Sequence, residues 1–206
     1  GSAVSAINSS IEIFTTSFSG NHANWGGAIS SYYSLLLYVS SCTFRDNHAD
    51  QSGGAIYQGP VSKRISSFNC TESVPQQTVT IDSSSFSNNT ANAGGAIFAF
   101  NLQSYVQIII RESTISNNTA CMGAAIYAGN RHKPDSEMTF SVLMEGTTVI
   151  DNYRSSACST WGGAIYLNDV DYINITGLSF SGSEFVRNTP DGAIQAIGTN
   201  VHLYGN

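Results

Sequence analysis

Charged side chains are scarce in this sequence. Asp, Glu, Lys and Arg make up 11% of its 206 residues, less than half the share of about 25% that is typical of globular proteins. Coiled coils and long surface helices need Glu, Lys, Ala and Leu in quantity, so this composition excludes them. The net charge of −6 excludes a protein whose whole surface binds nucleic acid.

Prolines and long hydrophobic runs are also few. The chain has only four prolines, and no apolar run approaches the ~18 residues that a membrane-spanning helix requires. Apolar residues nevertheless account for 41% of the chain, which excludes a disordered chain of low hydrophobicity and high charge. No signal peptide is visible, and Gly1-Ser2 is typical of a cloning scar. We expect a single domain over residues 1–206, cut from a larger surface protein, with no direct insertion into a membrane.

Small polar residues replace the missing charges, with 31 Ser, 16 Thr and 18 Asn, and many of them belong to an internal repeat. The motif Gly-Gly-Ala-Ile, or a variant with one residue changed, occurs six times, and each copy follows an Asn. Phe, Ile or Val stands three residues before each Asn. A constant core with insertions of variable length predicts a solenoid of stacked coils. The predicted column of structural Asn side chains is Asn21, Asn47, Asn89, Asn118, Asn152 and Asn188.

Each unit also begins with alternating apolar residues, the pattern of a β-strand with one buried face. No segment has convincing helical periodicity. The sequence therefore predicts an all-β fold, a right-handed parallel β-helix of about six to seven coils, in which equivalent residues stack at ~4.8 Å. Stacked Asn amides can then bond from one coil to the next. The inward column of the first strand is Ile13, Val39, Ile81, Ile110, Met144 and Phe180.

The pairing of Phe-x-x-Asn with Gly-Gly-Ala-Ile resembles the polymorphic outer-membrane-protein repeat of chlamydial autotransporter passengers. The resemblance extends from about Ile11 to Ile197, and similar repeats occur in eukaryotic surface proteins. It implies a surface-exposed β-helix that acts as an adhesin. The implied location is the cell surface or the extracellular medium, and the outer membrane if the protein is an autotransporter.

Two sets of residues are candidates for binding. An aromatic column follows the Ile of the repeat, and it faces outward if that Ile is inward. Exposed stacked rings suit sugar binding or docking to a partner; the alternatives are rings covered by loops, or rings in the core. Basic residues in two insertions could meet anionic glycans, or be ordinary solvated loop charges. These residues are Tyr57, Phe98, Tyr127 and Tyr166 in the column, and Lys63, Arg64, Arg131 and Lys133 in the insertions.

The four cysteines allow three pairings. Cys121 and Cys158 both lie between the Asn and the Gly-Gly of consecutive coils, so we expect them to form a disulfide. Cys42 would then pair with Cys70 and tether an insertion, which implies an oxidising compartment. The alternative is four reduced, partly buried thiols.

Two further columns contain charged or histidine side chains that could act in catalysis or bind a metal. Asp82, Arg111 and Glu145 should stack on consecutive coils, which favours an exposed ion-pair ladder over an active site. His22 and His48 should also stack, with Asp50 nearby, and two His and an Asp can bind zinc. The His column continues into an ordinary polar series, so we expect no metal and no cofactor. The series consists of Thr90, Thr119, Tyr153 and Thr189.

These observations favour a non-catalytic binding and adhesion module, with a receptor or glycan of a host or neighbouring cell as partner, self-association as a further mode of contact, and no nucleic acid. Catalysis by a β-helix hydrolase requires carboxylates that converge on one face, and the few acids of this chain are scattered over different columns. The alternatives are a carbohydrate-active enzyme, either a polysaccharide lyase or a hydrolase, and a structural spacer. Fold alone does not decide among them.

Overall fold

The computed structural model describes residues 1–60, 76–101, 105–130, 140–158, 163–168, 172–176, 194–197 and 201–204. The described residues contain strands and turns but no helix. The strands in chain order are β1 (Val4–Ile7), β2 (Ile11–Phe14), β3 (Ser17–Ser19), β4 (His22–Trp25), β5 (Ile29–Tyr32), β6 (Leu36–Ser40), β7 (Thr43–Arg45), β8 (His48–Ser52), β9 (Ile56–Gln58), β10 (Gln76–Asp82), β11 (Ser85–Ser87), β12 (Ile97–Asn101), β13 (Tyr105–Arg111), β14 (Thr114–Ser116), β15 (Thr119–Ala120), β16 (Ile126–Asn130), β17 (Phe140–Glu145), β18 (Thr148–Ile150), β19 (Tyr153–Arg154), β20 (Ile165–Asn168), β21 (Tyr172–Thr176), β22 (Ile194–Ile197) and β23 (Val201–Tyr204).

Three parallel sheets form the walls of the molecule. Sheet 1 has the order β1-β5-β9-β12-β16-β20-β22 and contains the strands that begin with the Ile of the repeat. Sheet 2 has the order β2-β6-β10-β13-β17-β21-β23, and sheet 3 contains β3, β7, β11, β14 and β18. Each strand pairs with the equivalent strand one coil away. The fold is therefore a parallel β-helix, as the sequence predicts.

Corners with a left-handed backbone separate the strands of a coil. Asn8 and Tyr33 lie at such corners between sheets 1 and 2, and three further corners recur along the rod. The first of these lies between sheets 2 and 3, at residues such as Ser41 and Ser83, and the second directly precedes the five Asn residues of the repeat that the structure describes. Gly, Asn and Asp tolerate positive φ best, and the second corner uses mainly these residues. Its members are Gly20, Asp46, Asn88, Asn117 and Asp151.

The third corner is the Gly-Gly turn, where neither Gly26 nor Gly27 has room for a side chain. Gly26 has φ +59°, and a Cβ there would collide with the carbonyl oxygen of Ile29. Gly27 would place a Cβ on the carbonyl oxygen of Gly54 in the next coil. In this coil the first glycine provides the left-handed turn and the second allows the close approach of the neighbouring coil. Ala124 takes the second position in the fourth coil.

The main core lies between the three sheets. Ile29 and its equivalents project inward from sheet 1, paired apolar residues project from sheet 2, and Phe18, Phe44 and Phe86 project from sheet 3. The rings of Phe44 and Phe86 are stacked with centroids 4.6 Å apart. Side chains from all three walls therefore fill the interior of the rod.

The Asn column forms a ladder at the second corner. The Nδ2 group of Asn47 donates to Oδ1 of Asn89 at 2.9 Å, and Asn89 repeats the contact with Asn118 at 2.9 Å. Each of these amides also donates to a backbone carbonyl, such as that of Phe44 for Asn89. The same series links Asn21 to Asn47 and Asn118 to Asn152, so buried amides replace water as partners of the corner backbone.

A second polar ladder shows that the expected Cys42–Cys70 disulfide is wrong. Cys42 is a buried free thiol in a column of inward hydroxyl groups at the first corner. Its Sγ donates to the carbonyl of Ser40, as Ser84 Oγ donates to that of Asp82. The backbone N–H of Cys42 donates to Ser84 Oγ at 3.0 Å. The thiol therefore takes the place of a hydroxyl inside the coil, while Cys70 lies outside the described residues.

The last complete coil departs from the predicted register. The sequence predicts that Phe180 follows Met144 in the inward column of sheet 2. In the structure Ile173 pairs with Val142, and Ile175 pairs with Met144. Ile175 therefore takes the position that counting back from the Phe column assigns to Phe180, and Phe180 itself lies outside the described residues.

Candidate functional site

The aromatic column predicted from the repeat forms the outer face of sheet 1. Parallel pairing places Ser30, Tyr57, Phe98, Tyr127, Tyr166 and Gln195 side by side on successive strands. The preceding Ile residues belong to the main core, so alternation along the strand sends the side chains of Ser30 and the four aromatic residues away from it.

The column faces outward, but its rings are largely covered, which is one of the alternatives that the sequence leaves open. Tyr57, Phe98 and Tyr166 are only 6%, 8% and 6% exposed, and Tyr127 is half-buried. Tyr57 and Phe98 form a second apolar cluster with Ala93, against which Tyr32 and Met122 pack. The rings bury one another and the segment before the Gly-Gly turn covers part of them.

The rings are stacked face to face along the rod. Centroids lie 5.3 Å apart between Tyr57 and Phe98, 4.7 Å between Phe98 and Tyr127, and 5.2 Å between Tyr127 and Tyr166. The interplanar angles are 5°, 16° and 14°. Because each inner ring has a neighbour over both faces, the column presents ring edges rather than faces to the outside.

The Tyr57 end of the column is desolvated. Trp25 packs against Tyr57 edge to face at 5.1 Å, and Tyr32 lies 5.0 Å from Tyr57. Burial raises the pKa of the Tyr57 phenol well above its usual range, and burial also raises the pKa of Tyr32. Both phenols therefore lose their proton at higher pH than an exposed tyrosine does.

A groove of about 510 Å³ runs along this column. Trp25 is 38% exposed and stands at one end of the groove, which has the rings on one wall and the segment before the Gly-Gly turn on the other. Ser52 and Asn92 add polar groups to the mainly apolar lining. The apolar side chains that line it are Trp25, Tyr57, Ala93, Phe98, Phe100, Met122 and Tyr127, together with Pro60.

Sequence reasoning did not find Trp25, Phe100 or Met122. A signal for two of them was present, because Trp25 and Met122 directly precede a glycine turn. Parallel contacts align Trp25 with Ser52, Ser52 with Ala93, and Ala93 with Met122. Phe100 lies two residues after Phe98 on β12 and projects from the same face.

A polar cluster lines a neighbouring depression of about 610 Å³, which also reaches Trp25. His22 and His48 are paired across β4 and β8, as the sequence predicts. The carboxylate of Asp50 lies 2.9 Å from Nε2 of His22 and 3.4 Å from Nε2 of His48. The hydrogen bond from His22 is the main cause that lowers the pKa of Asp50. Among the described residues, these three side chains alone group His, Cys, Asp or Glu closely enough to hold a metal.

The remaining predicted residues form a disulfide or a surface ion pair, or lie outside the described residues. Cys121 and Cys158 form the expected disulfide, with Cα atoms 5.5 Å apart, and it joins two neighbouring coils. Asp82, Arg111 and Glu145 stand in register, and Arg111 Nε donates to Glu145 at 2.7 Å. Lys63, Arg64, Arg131, Lys133 and Asn188 lie outside the described residues.

The comparison with protein families agrees with this geometry. The model of the Chlamydia polymorphic membrane protein repeat matches residues 15–32, 41–59, 83–99 and 112–129. Each match begins at the left-handed first corner and covers sheet 3, the Asn ladder and the Gly-Gly turn into sheet 1. No curated protein and no solved structure matches the chain significantly.

The described part of the chain includes no helix long and apolar enough to cross a membrane. Repeats of the matched type indicate a protein of the cell surface or outer membrane. The chain therefore carries four repeats of the Chlamydia polymorphic membrane protein type.

Proposed function

We propose that this chain is a surface-exposed, adhesin-like binding module without catalytic activity, and that its groove binds a segment of a protein receptor on another cell. The observation that carries the proposal is the apolar groove of about 510 Å³ on the outer face of sheet 1. It lies outside the main core, and its aromatic lining forms a separate cluster. Grooves lined by apolar side chains with a few polar groups are typical of binding sites, and Trp25, an exposed aromatic, opens into this groove.

The ring geometry favours a protein over a glycan as the ligand. Sugars stack on the faces of aromatic rings, whereas Phe98 and Tyr127 present mainly their edges because they are stacked on each other. An apolar side chain of a receptor can insert between the ring edges and Met122. Ser52 and Asn92 then supply polar partners for its backbone.

The non-catalytic part of the proposal is supported by the outward acidic column. Glu145 is held by Arg111 and is therefore not a free general acid or base. Hydrolysis of a glycoside needs two carboxylates that face one bond, and in this column an arginine stands between Asp82 and Glu145.

Bead adhesion to cultured epithelial cells tests the proposed function. Beads coated with the protein should adhere, and Trp25→Ala should reduce adhesion at least about 10-fold, as expected for a Trp side chain that anchors a partner. Phe14→Ala is the matched control, because Phe14 is an exposed aromatic, 54% exposed, on sheet 2. Circular dichroism melting verifies that both variants fold.

Pretreatment of the cells identifies the ligand class. Protease treatment should abolish adhesion and glycosidase treatment should leave it intact. The reverse pattern would establish a glycan ligand, and turnover in a reducing-sugar assay with polysaccharides would establish an enzyme. Absence of adhesion under all conditions would leave the spacer as the function.

A further inference from the structure

The cluster of His22, His48 and Asp50 is separate from the aromatic column, and the proposed function does not use it. All three side chains are exposed on one face of the segment between the Asn ladder and the Gly-Gly turn. His22 lies opposite His48 on the paired strand, and Asp50 follows two residues after His48. The period of two along a strand therefore brings all three side chains to the same face.

The distances suit a bound divalent metal. The two Nε2 atoms lie 2.9 Å and 3.4 Å from Oδ1 of Asp50, and all three candidate ligand atoms lie within 4.8 Å of one another. Ligands at ~2.0–2.2 Å from a tetrahedral zinc ion are about 3.3–3.6 Å apart. Small rotations of exposed side chains are therefore enough to form the coordination shell.

A neighbouring residue orients one of the imidazoles. Nδ1 of His48 lies 2.7 Å from Oγ1 of Thr90 on the next coil. When Nδ1 donates its proton to this hydroxyl, the lone pair of Nε2 points toward Asp50. Histidines that bind metals almost always donate the other ring N–H in this way, which fixes the tautomer and the ring orientation.

We propose that His22, His48 and Asp50 form a zinc site with two imidazole nitrogens and one carboxylate oxygen. Three protein ligands of this type leave at least one coordination position open. His22 and Asp50 line the depression of about 610 Å³ beside Trp25, so the open position faces that depression. The ion joins the first and second coils of the β-helix.

Titration of the untagged protein with ZnCl₂ and with CoCl₂ tests this site. Calorimetry should give one Zn²⁺ per chain, and Co²⁺ should give the intense visible absorption of a tetrahedral complex, which Zn²⁺ then removes. Zn²⁺ at about 100 times its Kd should raise the Tm by about 5 °C, because it binds only the folded chain.

Variants locate the metal. His22→Ala, His48→Ala and Asp50→Ala should each weaken Zn²⁺ binding at least about 10-fold, and Thr90→Val should weaken it about 10-fold through the orientation of His48. Asp46→Asn is the matched control, because Asp46 is an exposed acid of the same coil paired with Arg45.

Two results would overturn the proposal. Absence of one-to-one binding would mean that the cluster is only a hydrogen-bonded His-Asp group. Equal Zn²⁺ affinity in the wild type and in the three ligand variants would mean that the ion binds elsewhere on the chain. Because the readouts are metal affinity and Tm, they are independent of cell adhesion, and failure of either proposal leaves the other intact.

Discussion

Two aromatic columns run along this protein, one inside the coil and one outside it. In the inner column the rings of Phe18, Phe44 and Phe86 stack at 5.0 Å and 4.6 Å. In the outer column the ring of Phe98 stacks on that of Tyr127 at 4.7 Å. The stacking is the same because it follows from the distance between coils, which is ~4.8 Å in any parallel sheet.

The surroundings of the two columns differ. Phe44 and Phe86 have no solvent exposure and are enclosed by all three sheets, whereas the outer rings border a groove. A similar contrast separates adjacent polar residues, since Asn47 is buried in a ladder and His48 beside it is exposed. Stacking of the coils therefore fixes the spacing of the side chains in both columns. Burial between the sheets decides whether a column stabilises the fold or can contact a partner.

The largest expected effect comes from deleting an inner ring. Phe86→Ala should lower the free energy of unfolding by about 3–5 kcal/mol, because the three walls cannot collapse into the cavity. Phe98→Ala in the outer column should cost roughly half as much, since solvent and neighbouring side chains can enter the groove. Urea unfolding of both variants measures the difference, and equal losses would contradict the distinction between the columns.

An intermediate effect is expected from the Asn ladder. Asn89→Ala removes the acceptor of the Asn47 N–H and amide groups and the donor to the Phe44 carbonyl. Buried groups left without partners should lower the free energy of unfolding by about 2–3 kcal/mol. Thr90→Ala, one residue further and on the outer side, should change it by less than about 1 kcal/mol. Thermal melting compares the two variants, and a larger loss for Thr90→Ala would refute the assignment.

The smallest effect is expected at alkaline pH. Burial raises the pKa of Tyr57 in the folded protein, so its contribution to stability is complete below the unfolded pKa of about 10 and is lost as pH rises above that value. Tyr57→Phe should make this alkaline decline in Tm shallower. Tyr153→Phe, at an exposed ring, should leave the decline unchanged, and an identical decline in all three proteins would show that Tyr57 is not desolvated.

Much of the fold could be predicted because residues at the same position of successive repeats stack on one another and form columns. The Asn ladder, the pairing of His22 with His48 and the Cys121–Cys158 disulfide all follow from positions counted along the repeat. The prediction failed at Phe180, because the count assumed the same spacing in every coil, whereas Ile175 is the residue that pairs with Met144. It also failed at Cys42, whose spacing says nothing about whether the thiol points into the coil.

The sequence by itself determined the coil, its corners and the residues that share a column, because glycine, asparagine and alternating apolar residues impose local backbone geometry. Only the tertiary structure decided which columns are accessible. The aromatic column is outside the core and yet largely buried, since its rings are close enough to cover one another. Coil stacking also decided which titratable residues meet. It brings His22 on one coil close to His48 and Asp50 on the next, so that their potential ligand atoms lie within 4.8 Å of one another.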